Sequence, residues 1–69
     1  MESYAKKSGS NEFLTRRALY NARIKIQRGR YSEARKFLDL AMLCIRAGGV
    51  MGETENRVLS MLRELKSAA

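Results

Sequence analysis

From Asn11 onward, apolar side chains recur every three or four positions along this chain, the period of an α-helix. Gly29 and the pair Gly48-Gly49 interrupt that recurrence, and glycine supplies the left-handed backbone with which many helices end. The pattern therefore predicts three helices, over about 11–28, 31–47 and 53–67. Ser10 or Asn11 is suited to cap the first, with Glu12 near its positive end. Glu33 falls in the first turn of the second, and Glu53 and Glu55 in the first turn of the third, which ends near Lys66. Residues 1–10, containing Lys6-Lys7-Ser8-Gly9-Ser10, lack periodicity and are expected to form a disordered basic arm. The expected fold class is all-α: a small three-helix bundle, made of an antiparallel helical hairpin and a third helix, forming one domain over 11–69.

Each helix distributes its apolar residues differently. In the second, Tyr31, Ala34, Phe37, Leu38, Leu40, Ala41, Met42, Cys44 and Ile45 cover an arc of about 200°, too wide for one neighbour to bury. The second helix is thus expected at the centre, packed by both others or by a second chain. The third is ordinarily amphipathic, with Met51, Thr54, Val58, Leu59, Met61, Leu62 and Leu65 on one face. The first carries two stripes. Thr15, Ala18, Leu19, Ala22 and Ile26 suit close packing on the second helix, while Phe13, Tyr20 and Ile24 form another stripe about 120° away. That second stripe fits three roles: cover for the bundle's edge, a homodimer contact, or contact with a nucleic acid or foreign protein.

Sixty-nine residues bury a modest fraction of their surface. A single cysteine and the absence of histidine exclude an internal disulfide and the usual zinc patterns, leaving self-association as the remaining aid to stability. The longest apolar run, Leu40 to Ile45, falls far short of the roughly 20 residues that span a bilayer. No apolar stretch follows Lys6 and Lys7, so neither a membrane span nor a secretory signal is expected, and the placement expected is cytoplasmic.

Charge changes the picture most. The chain holds 14 Lys and Arg against 7 Asp and Glu. Residues 1–30 carry eight of those bases and only two acids, Glu2 and Glu12. Between Arg16 and Lys36 the single acid is Glu33. A localised positive field attracts polyanions at range, whereas a merely solvated face would mix its signs. Arg16, Arg17, Arg23, Lys25, Arg28 and Arg30 are the candidate nucleic-acid contacts, with Lys6 and Lys7 as further ones. Phe13, Tyr20 and Ile24 are the candidate interface residues.

Other features point away from chemistry. Cys44 sits within an apolar arc with no histidine beside it, which suits an inert thiol rather than a nucleophile. Glu33, Asp39, Glu53, Glu55 and Glu64 are scattered and make no acid–base pair or metal cage. Gly48 to Gly52 reads as a turn, because no Lys-Ser/Thr follows it to make a phosphate loop. No enzymatic activity, metal, cofactor or small-molecule substrate is expected.

The segment Gly29-Arg30-Tyr31-Ser32-Glu33-Ala34, followed by Leu38 and Ala41 and preceded by Ala22, resembles the middle of a tetratricopeptide repeat. That repeat turns between its helices with Gly-x-Tyr-x-Glu-Ala, and the likeness covers about half the chain. It implies an antiparallel helical hairpin and a role in protein binding. From the residues themselves, the leading expectation is a non-enzymatic regulator or accessory factor that binds nucleic acid through its positive first helix. The alternative is a protein-interaction adaptor, a homodimer or not, that docks an acidic or helical partner.

Overall fold

A computed structural model describes residues 10–68. They form three helices, α1 (Ser10–Gln27), α2 (Tyr31–Ala47) and α3 (Gly52–Ala68), within two residues of the expected bounds. Ser10 opens α1 rather than closing an arm, and the rest of the expected arm lies outside the described residues.

Local chemistry explains where α1 ends. Gly29 takes φ +76°, and the N–H of Gly29 donates to Ile26 O at 3.0 Å while that of Arg30 donates to Lys25 O at 2.8 Å. This crossed pair satisfies carbonyls that the ending helix would otherwise leave bare. Three residues then suffice to reverse the chain, so α2 runs back along α1. Gly48, at φ +101°, closes α2 with a 3.0 Å bond from its N–H to Ile45 O.

Small side chains bring the hairpin together. Ala18, Leu19 and Ala22 of α1 form one buried core with Ala34, Leu38 and Ala41 of α2 and Val58 and Leu65 of α3. Alanine lets helix axes approach closely but contributes little apolar area. Leu38 and Val58 are the largest apolar side chains fully enclosed, each worth about 1.5–3 kcal/mol of burial.

α3 starts beside the start of α1 and runs parallel to it, covering one face of the hairpin. Two residues in the first turn of α1 hold it there. Asn11 Nδ2 donates to Gly48 O at 2.7 Å, and Glu12 accepts from the Met51 N–H at 2.9 Å. α2 is less enclosed than its wide apolar arc suggests. Met42 and Ile45 pack on the core, but Leu40 is half exposed and Leu43 is 62% exposed. The two other helices reach only one flank of the arc. Met51, just before α3, and Leu59 of α3, both expected on its inner face, are likewise exposed.

Candidate nucleic-acid interface

With Ala18, Leu19 and Ala22 turned to the core, helical geometry fixes what α1 turns outward. Phe13, Tyr20 and Ile24 lie about 160° from the core stripe, further round than the expected 120°. Phe13 is 60% and Tyr20 65% exposed, while Ile24 is partly covered. Among the described residues, Phe13 and Tyr20 therefore give the bundle's edge little cover. Arg16 and Arg23 flank it on the α3 side, and Arg17 and Arg28 flank it on the α2 side, at about 40–80° from the apolar line. All four are exposed. One outer face thus joins two aromatic rings to four guanidinium groups.

The six predicted bases do not all share that face. Lys25 turns toward α2, where its Nζ meets Glu33 Oε1 at 2.9 Å, and Arg30 Nη1 meets Glu33 Oε2 at 3.3 Å. Glu33 thereby ties the end of α1 to the start of α2. Its carboxyl is held below the ordinary value, first by the hydrogen bond from Lys25 and then by the charges of Lys25 and Arg30. Arg16 also has an acid partner, Nε to Glu12 Oε2 at 2.6 Å, but its side chain remains 64% exposed. Exposed ion pairs of this kind are worth only about 0–1 kcal/mol and exchange readily. Among the described residues, Arg17, Arg23 and Arg28 form no ion pair. Lys6 and Lys7 lie outside the described residues.

One basic residue escaped the sequence pattern. Arg57 of α3 lines an open cleft of about 340 Å³ together with Arg16, Tyr20 and Arg23, and with Glu53 as the cleft's acid. Arg57 pairs with Glu53 at 3.5 Å, both side chains well exposed. In the sequence Arg57 lies far from the basic cluster of α1. Only the parallel course of α1 and α3 brings them together, and no local signal announces it.

From Arg16 to Arg28 the outer face runs about 18 Å, or about five nucleotide steps at 3.4 Å each. Arginine offers phosphate a planar fork of donors, and exposed rings offer bases a stacking surface. Among the described residues no group of three His, Cys, Asp or Glu gathers to hold a metal, and no helix is long and apolar enough to cross a membrane. Cys44 is a half-buried free thiol. No family model, curated protein or solved structure matches this chain.

Proposed function

We propose that this protein is a non-enzymatic accessory or regulatory factor that binds nucleic acid through the outward face of α1. One observation carries the reading: Phe13 and Tyr20 stand exposed between two rows of arginine, Arg16 and Arg23 on one side and Arg17 and Arg28 on the other. A chain that only needed solubility would gain nothing from exposed rings there, and rings without charge would suit an apolar partner. Rings and guanidinium groups together match bases and phosphates. Phosphate contacts position a protein and supply affinity with little choice of sequence. Stacking on Tyr20 and Phe13 favours single-stranded or unpaired segments, where each stacked base is worth about 1–3 kcal/mol.

In this reading Arg57 adds a phosphate contact from α3, while Lys25 and Arg30 mainly brace the turn through Glu33. The work is done in the cytoplasm. Fluorescence anisotropy with a labelled single-stranded oligonucleotide tests the reading directly. Arg17/Arg23/Arg28→Ala should lose binding without losing helix content, and Tyr20→Ala should weaken single-stranded binding more than duplex binding. Unchanged affinity in the triple variant would remove the proposal. The adaptor alternative would dock its acidic or helical partner on the same basic surface or on the Phe13, Tyr20 and Ile24 stripe; in that case Phe13/Tyr20→Ala should disrupt a protein complex and spare nucleic-acid affinity.

A further inference from the structure

α3 covers one face of the α1–α2 hairpin, and among the described residues nothing covers the opposite face. Leu14, Ala18 and Asn21 of α1 and Phe37, Leu40 and Cys44 of α2 enclose a hollow of about 160 Å³ there, to which α3 contributes nothing. Leu14 is 46% and Leu40 50% exposed, and Leu43 continues the apolar surface beyond Leu40. The hollow is about the size of a cavity that takes up a benzene ring, so it accepts one large apolar side chain. Ala18 makes its floor, since any longer side chain at that position would fill it.

The charges nearest the hollow are basic, and Asp39, one turn before Leu43, is paired with Arg35. Arg17 borders the hollow directly, and Lys36 stands one helical turn before Leu40 on the exposed side of α2. Neither forms an ion pair among the described residues. Glu33, the acid at the far end of the groove, is already engaged by Lys25 and Arg30. The other face of the hairpin illustrates what complements such a layout. There the amphipathic α3 lays Met61 beside Leu19 and Ile26, and its Glu53 and Glu64 line the same cleft as Arg23.

We infer that this open face docks an amphipathic helix of another protein, with acidic residues flanking its apolar stripe. One large apolar anchor would enter the hollow between Phe37, Leu40 and Leu14, and carboxylates would meet Arg17 and Lys36. This is the helix-in-groove mode of recognition, read by apolar anchors spaced three, four and seven apart. Charge selects this occupant over a second copy of the chain. A copy would bring its own net +7 against the same basic rim, and like charges across an interface are costly. Arg17 also belongs to the outward face of α1, so an acidic helix in the groove would compete with nucleic acid for that one guanidinium.

The test uses a display library of short amphipathic helices with a fixed leucine stripe and Glu or Lys randomised beside it, selected on the full chain. Enriched peptides should carry Glu at the flanks and should shield the Cys44 thiol, the single cysteine of the chain, from alkylation. Leu40→Glu should weaken their binding about tenfold or more, as loss of a central anchor does, with Leu40→Ala as the milder variant and circular dichroism confirming the fold. Arg23→Ala, outside the groove, should leave them bound. Arg17→Glu with Lys36→Glu should turn the selection toward Lys flanks. Enrichment of neutral or basic helices, binding indifferent to Leu40, or no enrichment would overturn the proposal. So would sedimentation of the chain as a dimer that Leu40→Glu splits, which would assign the face to a second copy.

Discussion

Glu12, in the first turn of α1, accepts a hydrogen bond from the hydroxyl of Thr54, in the first turn of α3, at 2.5 Å across 42 residues of sequence. The same carboxylate accepts from the Met51 N–H at 2.9 Å and from Arg16 Nε at 2.6 Å. An acid of one helix therefore caps the start of another, which α3 does not do for itself. Thr54 is buried, and Glu12 is its hydrogen-bond partner.

Glu12→Ala should cost about 1–2 kcal/mol, the usual loss for a helix cap, measured as a lower urea midpoint. Thr54→Val should cost less, and the double variant should fall short of the sum, because both changes break one hydrogen bond. Full additivity would mean the two side chains act apart.

The same contacts set a pH dependence. Bonds from Thr54 and the Met51 N–H, aided by Arg16, hold the Glu12 carboxyl below its ordinary value of 4.5. The contribution is therefore complete above that value and disappears as pH falls through the lower folded-state pKa. Chemical denaturation repeated through the acid range should show stability falling there, and Glu12→Gln should flatten that fall. A Gln variant with the same acid limb would move the effect to another carboxylate.

Much of the architecture was legible in the sequence. Gly29 marked the end of α1, and its φ of +76° and crossed hydrogen bonds explain why. The stripe from Thr15 to Ile26 marked the face turned to the core, although Leu19 and Ile26 lie beside α3 as well as α2. What escaped depends on contacts between distant segments. Asn11 read as a cap of its own helix and Glu12 as a charge at that helix's positive end, yet their side chains reach the α2–α3 connection. The bases of α1 read as one cluster, but helical phase and Glu33 divide them. Lys25 and Arg30 turn to the hairpin's elbow, and Arg57 joins from another helix. Periodicity states which residues share a face. It does not state which acid will lie opposite.

Glycine supplies a paired prediction. Nothing lies within 4 Å of a Cβ added at Gly29 or Gly52, so backbone conformation alone decides each outcome. Gly29→Ala should destabilise by about 1–2 kcal/mol, the cost of a left-handed residue with a Cβ. Gly52→Ala, at the start of α3, should stabilise by a few tenths to about 1 kcal/mol. Thermal midpoints moving in the same direction would contradict the assigned geometry.

Glu33→Gln separates bracing from binding. The change frees Lys25 and Arg30 without altering shape, and exposed pairs stabilise little. The thermal midpoint should hardly move, while affinity for an oligonucleotide at low salt should rise. A lower affinity would mean that Glu33 holds these two bases in place for binding.

The most direct test of the arginine face is the salt dependence of oligonucleotide binding. Each neutralised phosphate contributes a slope of about −0.7 for single strands in a plot of log affinity against log salt. Five contacts, by Arg16, Arg17, Arg23, Arg28 and Arg57, predict a slope of about −3.5, and Arg17/Arg23/Arg28→Ala should bring it to about −1.4. A flat plot, or a triple variant that keeps the original slope, would contradict the account.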